Sequence, residues 1–236
     1  MSGKYVTFAK TQRPKDDRLT VIIPTASPAN RNKTIGARSL IKLSEYDNVL
    51  SRQVNILRNV YQELDILVVV GHNSDKICRT VPGLRYIEND RFAETSVVRS
   101  IALGLRATIT DRVLIVYGDL VFNREIFNFD NSKSSIVVNS KSMKDSEVGV
   151  IVQDGLVTNL AYDLDKKWSQ IVNLCGKELG LFRQYVNKRE FEKCMCHEIL
   201  NMVISDGGKF VAASPSNAHL VEIDCHKDIE IACQVK

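Results

Sequence analysis

The chain has 236 residues, 44% hydrophobic and 25% charged, with a net charge of +4, which suits one α/β domain with a substantial core. Its basic residues form no concentrated stripe of the kind that nucleic-acid-binding domains carry, and no stretch approaches the ~18 apolar residues of a bilayer span. Met1-Ser2-Gly3-Lys4-Tyr5 lacks the apolar core of a secretory leader, so a cytoplasmic protein without nucleic-acid or membrane partners is expected.

Residues 1–18 are polar and aperiodic and read as an arm, either frayed or in contact with another copy in a homo-oligomer. Residues 19–236 read as one domain. The run Thr20-Val21-Ile22-Ile23 is too short for a helix and β-branched enough for a buried strand, which Pro24 ends. A polar loop with Arg31, Lys33 and Arg38 follows. A first strand that empties into a basic loop is where α/β proteins hold phosphate, because the carboxyl ends of parallel strands open onto a crevice.

From Val49 to Leu64 the apolar spacing is helical, and Asp65 to Gly71 is a second strand, continuous enough to be buried on both faces. Asn73 or Ser74 opens a short helix. Leu84 to Ile87 is a third strand, Thr95 or Ser96 begins a helix through Ala107, and Arg112 to Tyr117 is a fourth strand ended by Gly118-Asp119. This alternation predicts an α/β fold with a Rossmann-like, mostly parallel sheet flanked by helices. Beyond residue 130 the rhythm changes to short strands at 134–139, 148–153 and 156–161, the last two joined by Asp154-Gly155, a hairpin signal. Helical sequence fills most of 176–205. Strands are expected at 209–213 and 219–223, and a closing helix at 228–233.

Six cysteines occur without a CxxC pair. Cys194-Met195-Cys196-His197 lies in a helical pattern that would aim consecutive ligands apart, so these thiols read as free. Asp119 follows a buried strand at its carboxyl end. There it either enters the crevice as a Mg²⁺ ligand or caps the next turn. In Val221-Glu222-Ile223-Asp224, the apolar residues face one way and the acids the other. Asp224 reads equally as a metal ligand or a helix cap, and Asp228 as a first-turn charge on the last helix.

These residues, taken in order, resemble the nucleotidyltransferases of the glycosyltransferase-A-like fold. That group includes sugar-1-phosphate nucleotidylyltransferases, molybdopterin guanylyltransferase-like proteins and phosphocholine cytidylyltransferases. The resemblance spans about residues 19–233. It rests on Pro24 to Arg31 and Gly36-Ala37-Arg38-Ser39-Leu40 in the signature loop, and on Asn89 to Ser96 with Ser100 near the nucleoside. Tyr117-Gly118-Asp119 matches the metal motif, and Val221 to Asp228 the closing metal segment. Lys166 to Ile171 and Gly176-Lys177-Glu178 are similar to small, often phage-encoded cytidylyltransferase-like members.

The resemblance implies a nucleotide half over about 19–125 and an acceptor half over about 126–236. It implies a Mg²⁺-dependent transfer of a nucleoside monophosphate from a nucleoside triphosphate to a sugar phosphate or alcohol phosphate, with pyrophosphate released. Asp119 and Asp224 would hold Mg²⁺, and Arg31 and Arg38 would act on the leaving pyrophosphate. Ala26, Ser27, Asn89, Thr95, Ser96 and Gly118 would bind the nucleotide, and Lys166, Trp168 and Glu178 the acceptor. Trp168, the only tryptophan, would wall the acceptor pocket.

The loop departs from the family. Ser27 and Ala29, with Pro28 between them, stand where it has glycines, and Ala37-Arg38 where it has Pro-Lys. Side chains at those positions, and a proline without an N–H, weaken a phosphate cradle. The alternative function is therefore a non-catalytic relative that keeps the fold as a binding or oligomeric module. A glycosyltransferase on the same fold would present Asp-x-Asp, whereas here Val121 occupies the third position.

Overall fold

A computed structural model describes residues 18–27, 36–139 and 147–235. Arg31, Lys33, the Pro28-Ala29-Asn30 segment and the arm before Arg18 lie outside them. The first half runs β1 (Leu19–Pro24), α1 (Val49–Val60), β2 (Leu64–Val70), α2 (Ser74–Thr80), β3 (Arg85–Glu88), α3 (Val97–Arg106) and β4 (Arg112–Val116). The second half runs β5 (Leu120–Phe122), β6 (Ser135–Asn139), β7 (Val148–Gln153), β8 (Leu156–Tyr162), β9 (Lys166–Cys175), α4 (Gly176–Val186), α5 (Cys196–Ser205), β10 (Phe210–Ala213), β11 (Leu220–Glu222) and α6 (His226–Ala232).

Among the described residues, nine strands form one sheet in the order β3-β2-β1-β4-β9-β6-β10-β8-β7. β1 to β4 are mutually parallel, as the strand–helix alternation requires. Across β9 the pairing becomes antiparallel, and in the second half only β10 and β6 run parallel. The sheet as a whole is therefore mixed, with helices packed on both faces, and the parallel character expected from sequence belongs to its first four strands.

Alternation along β1 divides the core. Ile22 packs with α3, α4 and α5 on one face, while Val21 and Ile23 pack with α1 and α2 on the other. The hairpin expected at Asp154-Gly155 joins β7 to β8, and both residues have positive φ (51° and 77°), the conformation of a type I′ turn.

β9, 10 residues long, and the three-residue β5 are the strands that sequence periodicity did not announce. Residues 171–175 of β9 pair with β4, whereas Lys166 and Lys167 pair with β7. Gln170, at φ 56°, lies where the strand changes partner, and the β6–β9 register shifts there. β5 and β11 form a separate antiparallel ribbon. It is anchored by a third apolar cluster in which Val121 and Ile223 meet Val49 of α1 and Ala232 of α6. Among the described residues, no helix is long and apolar enough to cross a membrane.

Candidate functional site

The chain leaves β1, builds β2 and β3 on one side, then returns through α3 to place β4 on the other side of β1. A crevice opens at such a switch point, outside the carboxyl ends of the two diverging strands. Here those ends are Thr25-Ala26-Ser27 after β1 and Tyr117-Gly118-Asp119 after β4. They line a cavity of about 300 Å³ with Arg38, Ser39, Ser96, Ser100 and Met195.

Backbone contacts hold both turns in place. Thr25 N and Oγ1 donate to Val69 O (2.8 and 3.0 Å), His72 N donates to Ala26 O (3.0 Å), and Gly118 N donates to Pro24 O (3.3 Å). Gly118 must lack a side chain, since a Cβ there would lie 2.5 Å from Thr25 Cγ2 and 2.9 Å from Pro24 O. Gln53, buried on α1, donates to Tyr117 O (2.8 Å) and Leu120 O (2.7 Å), clamping the turn that carries Asp119. Its role was not evident in the sequence; the one available signal was a polar residue on the apolar stripe of α1.

The ribbon brings the two acids together. Pairing of Leu120 with Glu222 is followed by Ile223 N donating to Asp119 O (3.0 Å), which sets Asp224 beside Asp119. Arg38 bridges them, with Nη1 2.9 Å from Asp119 Oδ2 and Nη2 3.3 Å from Asp224 Oδ1. Asp119 Oδ1 is buried and, among the described residues, has no hydrogen-bond partner. Burial raises the Asp119 pKa above the usual carboxylate value, Arg38 pulls it back, and the charge of Asp224 adds to the rise. Asp228, read from sequence as a first-turn charge, accepts from Asp224 N (2.9 Å) and Cys225 N (2.8 Å) at the start of α6.

Asn89 and Thr95 stand behind the wall formed by Ser96 and Ser100. Asn89 is 1% exposed, and its Nδ2 donates to Thr95 Oγ1 (3.3 Å) and Ser100 Oγ (3.1 Å), while Thr95 Oγ1 donates to Arg91 O (2.7 Å). Ser96 lines the cavity and caps α3, accepting from Val98 N (3.1 Å). The Asn89–Ser96 segment thus forms a braced turn, of which Ser96 alone reaches the cavity.

A second cavity of about 190 Å³ shares Tyr117 and Met195 with the first. Trp168 lines it, its ring edge-on to Tyr117 with centroids 5.8 Å apart, and its Nε1 is buried without an acceptor. Tyr162 and His197 contribute a second edge-on pair at 5.4 Å. The basic residue is Lys167, which pairs with Glu147 and, at 3.4 Å, with Glu222. Burial alone would lower the Lys167 pKa, but these two carboxylates raise it. Burial, Asp119 and Asp224 push Glu222 up to about 7, with Lys167 opposing them.

Two acceptor-side expectations need correction. Lys166 is exposed and lies outside the cavity that its neighbours Lys167 and Trp168 line. Glu178 sits past the far end of β9, where its carboxylate accepts from Lys209 N (2.9 Å) and Ser134 Oγ (3.2 Å). β9 runs antiparallel to β4, so it carries the chain away from the cleft before α4 begins.

No protein-family model matches the sequence, and no curated protein matches it either. Comparison of folds gives a different result. The CTP:phosphocholine cytidylyltransferase of Streptococcus pneumoniae superposes with a TM-score of 0.74 at 16% identity, covering 91% of this chain and 97% of that one. A putative glucose-1-phosphate thymidylyltransferase from Bacillus anthracis gives 0.76 at 12% identity, covering 92% and 96%. The inositol-1-phosphate CTP transferase of T. maritima gives 0.73 at 14%, covering 94% and 99%. The chain has the fold of these nucleotidyltransferases over nearly its whole length.

Proposed function

We propose that the protein transfers a nucleoside monophosphate from a nucleoside triphosphate to a small phosphorylated acceptor. The observation that carries this reading is the position of Asp119 and Asp224, at the seam where two cavities meet, each cavity with its own lining. The triphosphate would lie in the cavity of Ala26, Ser27, Ser96 and Gly118, and the acceptor in that of Trp168 and Lys167. An acceptor phosphate oxygen attacks the α-phosphorus, forming a new P–O bond as the bond to the β-phosphate oxygen breaks and pyrophosphate leaves. The chain supplies no covalent nucleophile; it aligns two anions and offsets their repulsion.

The acids fit a hard divalent cation. Asp119 Oδ1 is a buried acceptor without a donor, and Mg²⁺ takes one or two carboxylates and fills its remaining positions with water and phosphate. Among the described residues, no three His, Cys, Asp or Glu side chains are grouped to hold a metal, so the protein's share would be these two carboxylates. Mg²⁺ held there would neutralise phosphate charge. Arg38 gives up part of its bridge when a triphosphate enters and pairs its planar fork with phosphate oxygens. Arg31, outside the described residues, is proposed for the same anion. The second cavity sets three carboxylates, Glu147, Glu222 and Asp224, against Lys167, and this excess of acidic groups favours an alcohol phosphate carrying a positive group over a neutral sugar phosphate.

One observation favours a non-catalytic module instead: Arg38 already bridges the two acids, as a permanent structural tie would. A thermal-shift screen separates the readings. Each ribonucleoside triphosphate and dTTP is added with and without Mg²⁺, and a ligand at a hundredfold excess over its Kd stabilises the fold by ~3 kcal/mol. A Mg²⁺-dependent rise with one nucleotide supports the transferase. No shift with any of them supports the tie.

A further inference from the structure

A concavity of about 580 Å³ shares no lining residue with either cavity of the cleft. One wall is α3, where Arg99 and Arg106 are two turns apart on one face. The other is the segment after α4, with Lys188 and Arg189. Arg91 also lines it, but its guanidinium is taken up by Glu192 (3.1 and 2.9 Å) and by Glu94 (3.5 Å), the two carboxylates present. Among the described residues, none of Arg99, Arg106, Lys188 and Arg189 forms an ion pair within 4.0 Å.

Two of the four are held in place by something other than a carboxylate. Arg106 Nε donates to Asn187 Oδ1 (2.7 Å), and Lys188 Nζ lies over the rings of Tyr185 (5.3 Å) and Phe191 (5.6 Å). Arg99 and Arg189 reach Glu192 only through the charge by which they help to lower its pKa, after the larger effect of Arg91. Arg99 Nε is buried without an acceptor. Four cations around one hollow repel one another, and a buried donor without an acceptor costs further; a multiply charged anion relieves both.

We propose that this hollow binds a small, multiply phosphorylated ligand, separately from the cleft and whatever the cleft's own chemistry. Its volume is that of a small-molecule site, and arginine forks match phosphate oxygens. A single concave cluster suits a compact polyanion better than a nucleic-acid backbone, which would follow an extended stripe. The site lies close to the cleft along the chain, because Glu192 O, beside the Arg91 pair, accepts from Ser96 N (3.0 Å) of the cavity wall.

The test is calorimetric titration with inorganic tripolyphosphate, without Mg²⁺ and at low ionic strength. Wild type is compared with Arg99→Gln/Arg189→Gln, with the charge-retaining Arg99→Lys/Arg189→Lys, and with the cleft variant Arg38→Gln. The expected result is a site that persists in Arg38→Gln, weakens at least tenfold in the glutamine pair, and largely returns in the lysine pair. Unchanged binding in the glutamine pair, or loss of all binding in Arg38→Gln, overturns the proposal. So does a single-stranded oligonucleotide that displaces tripolyphosphate from the Arg38→Gln protein.

Discussion

The two cavities of the cleft are made in different ways. The one at the ends of β1 and β4 is made largely of backbone: turns held by main-chain hydrogen bonds, a glycine that admits no side chain, and one glutamine that clamps two carbonyls. The one beyond β9 is made of side chains, a buried lysine between two carboxylates and aromatic rings meeting edge-on. A backbone-built cavity fails when a turn is displaced. A cavity built from charges fails when a partner is removed, and that failure depends on pH. The acids at the seam belong to neither half alone, since Asp119 comes from one and Asp224 from the other.

The largest effect is expected at the seam. Asp119→Asn should lower turnover by ~10²–10³-fold, the scale of losing one preorganised electrostatic contact. The melting temperature should hold or rise, because burial already disfavours the charged form of Asp119 and Arg38 keeps Asp224. Parallel activity and melting measurements check this, and a collapse in stability would make the pair a structural tie.

The next effect separates the halves. Lys167→Met leaves Glu222, whose side chain is 15% exposed, facing Asp119 and Asp224 without its lysine, and should cost ~3 kcal/mol at alkaline pH, where Glu222 is ionised. A carboxyl whose pKa in the fold exceeds its unfolded value stabilises the fold when protonated. Lys167 is one of the groups that keep the Glu222 pKa from rising above about 7, so in the variant Glu222 takes up its proton at higher pH, and the deficit should shrink as pH falls from the alkaline range toward 7. Denaturant midpoints across pH test this, and a pH-independent deficit would show that the lysine acts by packing alone.

Gly118→Ala should cost ~2 kcal/mol with no such pH dependence, because its clash is steric. Adding Thr25→Ser, which removes the Cγ2 that the new Cβ would strike, should recover part of the loss; the double variant's midpoint decides it. The smallest effect is expected at the aromatic pair. Trp168→Phe should change stability by less than ~1 kcal/mol, since it deletes an indole N–H that has no acceptor and keeps a ring beside Tyr117.

The same division explains what the sequence made legible. In the parallel half, β-branched runs buried on both faces alternate with amphipathic helices, so element types and order could be read directly, as could the positions of Asp119 and Ser96. β9 could not. Its sequence begins Lys166-Lys167-Trp168-Ser169-Gln170, buries Ser169 and Asn173 as well as Ile171 and Val172, and turns at Gln170 from one neighbour to another. No regular alternation survives such a turn. Without the strand, Lys166 and Lys167 are indistinguishable and Glu178 stays notionally near Trp168; with it, one lysine faces the cavity and the glutamate goes to the other end of the sheet. Arg38 was recognisable as a crevice cation, but its bridging of both acids depends on the β5–β11 ribbon, a tertiary pairing of distant segments.

The most direct test of the proposed reaction is pyrophosphate release. The protein is incubated with Mg²⁺, the nucleoside triphosphate that stabilises it, and phosphorylated alcohols and sugars in turn, with Asp119→Asn as the control. The account predicts acceptor-dependent release by wild type, greatest with an acceptor that carries a positive group, and a loss of ~10²–10³-fold in the variant. Release that is equal in wild type and Asp119→Asn, or absent with every acceptor despite nucleotide binding, would contradict it.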